Sequence, residues 1–266
     1  MGKNLITNQV IDHGLGSRVL KMITIFGYVD LLKSKGLDYE YVHTPFSYEG
    51  FGVNFNFNQL WEYYHKPITD NRIDYLNICK KWDEILNYNG KLIFDYKESE
   101  VTPHIHAGFN GEESELECFN HNRKIKNIIK EEFNIPKKEQ KDEKIINIHI
   151  RRGDVNPEKH LDRWISDDYY LNCVETLLSK YPDHKVTIHT QRKGFNSDLY
   201  KDYKVVYDDE IDDVQTWLEL IYSDILVIGK SSFSYSAGIL CDGLVIYPSD
   251  DMFHDKLNEW KKIDTL

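Results

Sequence analysis

Apolar and polar positions along the chain follow a repeated alternation of strand and helix. Leu5 to Ile11 is apolar and β-branched, which predicts a strand, and it runs into Gly14-Leu15-Gly16-Ser17-Arg18. Val19, Leu20, Ile23, Phe26, Leu31 and Leu32 then recur at helical spacing up to a stop at Gly36, and Tyr39, Tyr41 and Val42 read as a second strand. Strand, tight turn, helix and strand make a βαβ unit, which places the glycine turn at the carboxyl edge of a parallel sheet. Further on, Thr44 to Asn58 reads as an aromatic loop, Trp61 to Tyr88 as helix broken at Pro67, Lys91 to Tyr96 as a short strand, and Asn120 to Phe133 as a helix.

The run Lys137 to Lys144 (KKEQKDEK) is a solvated charged stretch that predicts an interdomain linker. After it the alternation restarts. Ile145 to Ile150 is continuously apolar enough to be buried on both faces of a parallel sheet. Helices at Tyr169 to Leu178, Val214 to Tyr222 and Ser234 to Leu240 alternate with strands at Lys185 to His189, Val205 to Val206, Ile225 to Ile228 and Leu244 to Tyr247. Phe253, Leu257 and Trp260 share one helical face, predicting a terminal helix that packs back on the body. The expected class is α/β, with domains at 1–136 and 137–250 and a C-terminal helix at 251–266.

Composition narrows the functions. Of 266 residues, 41% are hydrophobic and the net charge is −11, so the chain folds, and nonspecific grip on nucleic acid or anionic membrane is disfavoured. There is no run near the ~20 apolar residues that span a bilayer and no apolar leader with a cleavage site, so a cytoplasmic protein is expected. Scarce alanine beside abundant Asn, Lys, Ile and Tyr points to an AT-rich viral or microbial genome. Cys79, Cys118, Cys173 and Cys241 are widely spaced and read as reduced core residues. His104 and His106 alternate as a metal pair would, but ordinary histidines explain them better, and Cys118 and His121 lack the second pair that a zinc site needs.

Two segments carry candidate chemistry. In Ile148-His149-Ile150-Arg151-Arg152-Gly153-Asp154 a buried strand ends in two arginines, a glycine and a carboxylate. Arginine forks bidentately onto phosphate or carboxylate, glycine lets the backbone turn beneath the anion, and Asp154 can orient a guanidinium; an internal ion pair is the structural alternative. In Ser231-Ser232-Phe233-Ser234, serines open a helix directly after the strand ILVIG, either as plain caps or as an anion site on the helix dipole. Together the two features suggest a diphosphate held between Arg151 and Arg152 on one side and the Ser231–Ser234 helix start on the other.

The segment HIRRGDV resembles the H-x-R-R-G-D motif of the alpha-1,2-fucosyltransferases and is similar to the arginine motif of core alpha-1,6-, nodulation and protein O-fucosyltransferases. Asp224 to Tyr235 resembles their strand-to-helix segment with a serine-rich nucleotide contact, and Gly14-Leu15-Gly16-Ser17 resembles their G-x-G-N turn, with Ser17 where asparagine is usual. The resemblance is good over about 145–248 and thin before that. It implies a GT-B fold of two Rossmann-like domains facing across a cleft, GDP-fucose as donor in the C-terminal half, a glycan or glycoprotein acceptor in the N-terminal half, and inverting transfer with no essential metal. It further implies that Arg151 and Arg152 contact the diphosphate, that His149 lies beside the nucleotide, and that Ser231, Ser232 and Phe233 flank its phosphate or base.

The residues add detail beside that resemblance. No D-x-D motif is present to fix a divalent ion on a diphosphate, so arginine and helix dipole must stabilise the leaving group. Lys230 is a candidate extra phosphate contact. Asp154, Glu158 and Asp162 are candidate carboxylates near the arginines, with Glu158 and Asp162 the favoured general bases and Arg152 the expected catalytic arginine. His189 and Gln191 end another strand on the same edge, placed for base or ribose contact or simply as a polar strand end. Gly14, Gly16, Ser17 and Arg18 are the candidate acceptor-side residues. The alternatives are another donor on the same scaffold, such as UDP-xylose, and a non-catalytic nucleotide- or glycan-binding module.

Overall fold

The structure, a computed structural model, describes residues 4–7, 15–42, 92–94, 115–132, 135, 137–138, 143–211, 213–248 and 256–266. The expectations for Gly14, Thr44 to Asn58, Trp61 to Tyr88, Cys79, His104, His106 and Phe253 lie outside the described residues, as does the side chain of Cys118. The chain divides into two compact units, Met1–Pro136 and Lys137–Leu266.

In the first unit, β1 (Asn4–Thr7) lies between β2 (Tyr39–Val42) and β3 (Leu92–Phe94) in a parallel sheet of order β2-β1-β3. Helix α1 (Leu15–Ser34) joins β1 to β2, completing the expected βαβ unit. Its stop follows from Gly36, whose φ of 79° puts it in the left-handed region. There the Gly36 N–H bonds to Lys33 O and the Leu37 N–H to Leu32 O, a Schellman closure that satisfies two terminal carbonyls. Helices α2 (Glu115–Lys124) and α3 (Lys126–Glu132) replace the single helix expected over Asn120 to Phe133, starting earlier and turning at Ile125. Buried Asn122 of α2 sits against Gly27 of α1, where any larger side chain would overlap the amide.

The second unit is a five-stranded, all-parallel sheet of order β6-β5-β4-β7-β8, built from β4 (Ile145–Ile150), β5 (Lys185–Thr190), β6 (Lys204–Tyr207), β7 (Ile225–Val227) and β8 (Leu244–Ile246). The chain winds outward from β4 through β5 to β6, then returns to pair β7 on the other side of β4. The sense of winding therefore reverses between β4 and β7, and in open α/β sheets that reversal opens the crevice in which ligands bind. Helices α4 (Asp167–Lys180), α5 (Asp213–Ile221) and α6 (Ser232–Leu240) connect the strands.

Alternation along β4 sorts its side chains. Ile146, Ile148 and Ile150 pack in a core with Tyr170, Cys173, Val174 and Leu177 of α4. Asn147 and His149 point the other way: Asn147 donates to Glu219 O at 2.8 Å and Ser223 Oγ at 2.9 Å, and the His149 ring lies 5.4 Å from that of Phe233 in α6. Trp217 is core, its indole N–H bonded to Ser236 Oγ at 3.0 Å. Cys173 and Cys241 are free thiols in buried surroundings.

The C-terminal segment departs from expectation. Leu257 and Trp260 are buried, but Lys256–Leu266 forms a turn, a bridge and a short 3-10 helix (Ile263–Thr265) instead of an α-helix. β8 is an edge strand with unpaired peptide groups, and the tail satisfies them: Lys261 N–H bonds to Val245 O and Tyr247 N–H to Lys261 O, each at 3.0 Å. Trp260 is seated over Gly238, where a Cβ would come within 3.0 Å of the indole. No helix among the described residues is long and apolar enough to cross a membrane.

Candidate active site

The arginine loop leaves β4 and the serine helix leaves β7, neighbouring strands that both end at the reversal of winding. Arg151 and Ser231, 80 residues apart in sequence, meet there with Arg151 Nη1 3.4 Å from Ser231 Oγ. Ser231 is the N-cap of α6 and its hydroxyl also accepts the Phe233 N–H at 3.3 Å. A half-buried guanidinium and the positive end of a helix thus converge, the charge pattern that holds an anion. The remaining edge of Arg151 is occupied by Asp154, through Nε to Oδ1 at 3.2 Å and Nη2 to Oδ2 at 2.6 Å. Burial alone would raise the Asp154 carboxyl, but the hydrogen bonds and charge of Arg151 outweigh it and hold the group below the usual carboxylate range.

Arg152 is placed differently from the two-arginine clamp expected above. Its side chain is fully buried, with Nη2 on Asp167 Oδ1 at 2.7 Å, Nη1 on the Arg151 carbonyl at 2.9 Å, and the guanidinium 3.9 Å above the Trp164 ring. Tyr200 adds a hydroxyl to the same Asp167 oxygen at 2.9 Å. The cause is the strand's alternation carried past its end. Arg151 continues the face of Asn147 and His149 toward α6, while Arg152 continues the isoleucine face toward α4. Of the two arginines, Arg151 is the one whose guanidinium reaches the N-terminus of α6.

Several other expected contacts are also engaged internally. Ser234 is buried, accepting the Gly229 N–H at 3.1 Å, and so braces the turn before α6. Gln191 Oε1 accepts the Arg152 N–H at 2.8 Å, and its side chain packs where a Cβ on Gly153 would come within 3.2 Å. Gly153 has φ 74°, so glycine is required there on both counts. His189 Nε2 lies 3.1 Å from Asn147 Oδ1, and burial, aided by Lys204, lowers its pKa to about 4. His149 lies beside the arginine loop against Phe233; burial first, then the charge of Arg151, lowers its pKa to about 3, so it is a neutral imidazole at pH 7. Its Nδ1 is buried without a hydrogen-bond partner among the described residues.

Glu158 and Asp162 lie exposed on the loop between β4 and α4, with Asp162 3.7 Å from Arg163. Lys230 and Ser232 are half-buried at the start of α6. Gly16 and Ser17 lie in the first turn of α1, Arg18 follows in the same helix, and Gly14 is outside the described residues. In the acidic segment after β6, Asp209 is paired with Arg192, which lies 3.9 Å from the Tyr207 ring, and Asp213 takes the first turn of α5 as its dipole favours.

Asp167, Tyr200 and Gly229 were not singled out in the sequence. Ser166-Asp167 signals a helix start, yet nothing local shows that the carboxylate turns to Arg152. Gly229 ends the strand ILVIG, and a Cβ there would lie 2.9 Å from the His149 carbonyl and 3.1 Å from the Tyr170 hydroxyl.

No protein-family profile matches this chain, and no curated protein sequence matches it. Solved structures do. POFUT1 in complex with GDP is similar over 93% of this chain and 98% of its own, at 9% identity and a TM-score of 0.48. E. coli heptosyltransferase WaaC with ADP is similar over 97% and 92%, at 9% identity and 0.44. Thermosulfurimonas dismutans KpsC, a beta Kdo 2,4 transferase, is similar over 52% and 46%, at 15% identity and 0.31. The chain itself is an α/β protein with parallel sheets, and similarity at this level carries no residue-by-residue correspondence.

Proposed function

We propose that this chain is a glycosyltransferase that uses a nucleotide-sugar donor, with GDP-fucose the donor and a glycan hydroxyl the acceptor. The observation that carries the reading is the meeting of Arg151 with Ser231 at the α6 N-terminus, at the carboxyl edge of the sheet where winding reverses. The fucosyltransferase-like motif HIRRGD supports the choice of sugar. In this reading the diphosphate lies between Arg151 and α6, His149 and Phe233 flank the nucleotide, and the turn that opens α1 belongs to the acceptor side.

Transfer requires the acceptor oxygen to bond to the sugar's anomeric carbon as the bond from that carbon to the diphosphate oxygen breaks. The acceptor proton passes to a carboxylate, for which Glu158 and Asp162 are the candidates, and the departing diphosphate gathers negative charge. Arg151 and the helix dipole face that charge, so they stabilise the transition state more than the ground state. Neutral His149 adds no competing charge beside Arg151 at pH 7.

Thermal shift with GDP, UDP, ADP, GDP-fucose and UDP-xylose tests the proposal. A ligand at 100 times its dissociation constant stabilises by about 2.7 kcal/mol, a readily measured shift. GDP and GDP-fucose are expected to give the largest shifts, followed by donor turnover with a glycan acceptor. Preference for UDP and UDP-xylose would replace the donor. Binding without turnover across a broad acceptor panel would replace the enzyme with a binding module, and no shift with any nucleotide would refute the site.

A further inference from the structure

The peptide group joining Arg151 to Arg152 is held from both sides by side chains. Its N–H donates to Gln191 Oε1 at 2.8 Å, and its carbonyl accepts from Arg152 Nη1 at 2.9 Å. Arg152 is itself fixed by Asp167, by Tyr200 through that carboxylate, and by the Trp164 ring beneath its guanidinium. Gly153, directly after the clamped peptide, has no room for a side chain against Gln191, and its N–H bonds to Lys193 O at 2.8 Å. A loop of this kind ordinarily faces water and moves. Here one peptide plane is locked between the ends of β4 and β5, and the Arg151 guanidinium is the polar group that the lock delivers to Ser231.

We infer that Gln191 and Arg152, with Asp167 behind them, form a peptide clamp that sets the direction of Arg151, and that Gln191 is a positioning residue rather than a contact for the nucleotide base. The inference rests on the anion site proposed above and adds to it the device that orients its arginine. The geometry supports the positioning role, since Gln191 Oε1 accepts the loop's N–H, and pyrophosphate, which carries no base, separates that role from base recognition.

The test is Gln191→Met, which keeps the length of the side chain and removes the acceptor. Calorimetric titration with inorganic pyrophosphate and with GDP is run on the wild type, Gln191→Met, Arg151→Ala and the double variant. A clamp predicts that Gln191→Met weakens pyrophosphate and GDP alike, by about tenfold, and has no further effect when Arg151 is already alanine. If pyrophosphate binding is unchanged while GDP binding falls, or if the two substitutions add, the clamp is refuted. Crystal structures of the wild type and Gln191→Met decide the point independently of ligand. The Arg151–Ser231 contact should be lost in the variant, and its retention overturns the inference. Should the wild type bind neither pyrophosphate nor GDP, the anion site itself fails, while the two structures still report whether Gln191 directs Arg151.

Discussion

Arg151→Ala separates the two neighbouring arginines by function. In the structure Arg151 makes two contacts to Asp154, whose side chain is 63% exposed, and one to Ser231. An ion pair that open to water contributes at most about 1 kcal/mol, so the fold should survive and the melting temperature should fall by only a few degrees. Function should not survive. A guanidinium on a diphosphate supplies charged hydrogen bonds of about 1.5–3 kcal/mol each, and two of them amount to about 3–6 kcal/mol in the transition state. At about 1.4 kcal/mol per factor of ten, kcat/KM should fall by roughly 10²–10⁴. The assay is donor turnover with the nucleotide sugar that gives the largest thermal shift, with circular dichroism on the same preparation. A variant that folds and keeps kcat/KM within about threefold of wild type would show that Arg151 does not face the developing charge, and the argument from its contact with α6 would fail.

The neighbouring substitution should behave in the opposite sense. Arg152→Ala leaves Asp167 without its cation and opens a cavity over the Trp164 ring, so a loss of about 3–5 kcal/mol is expected in urea unfolding; an unchanged midpoint would refute the structural role. Ser231→Ala removes the α6 cap, costing about 1 kcal/mol of stability, and also weakens pyrophosphate binding in titration; weaker stability with unaltered anion affinity would leave Ser231 a cap alone. His149 and His189 are neutral in the folded chain, with pKa values lowered from 6.5 to about 3 and about 4, whereas the unfolded chain takes up protons below pH 6.5. Unfolding free energy should therefore be complete above that pH and fall between pH 6.5 and 5, by up to about 1.4 kcal/mol per pH unit for each histidine. Urea midpoints that stay flat across that window would show that both rings are protonated in the native state, and half the expected slope would show that one is.

Elements set by short-range pattern were legible without the structure. The Gly36 stop of α1, the buried runs of β4 and β7, the helix start at Ser231 and the parallel winding of the second unit depend on spacing, chirality and capping within a few residues. The terminal segment misled because the spacing of Leu257 and Trp260 fits a helix, while the unpaired edge of β8, distant in sequence, offered its backbone better partners. The same distinction governs the site. Sequence by itself determined that an arginine pair and a serine-capped helix follow apolar strands, and its reading set both arginines on one side of a diphosphate. Only the tertiary structure decided which face holds Asp167 and Trp164 and which holds α6, and so which arginine is buried and which is offered to an anion. Those partners lie 12 to 80 residues away, and they converge because the order of strands, which no local spacing encodes, puts β7 next to β4.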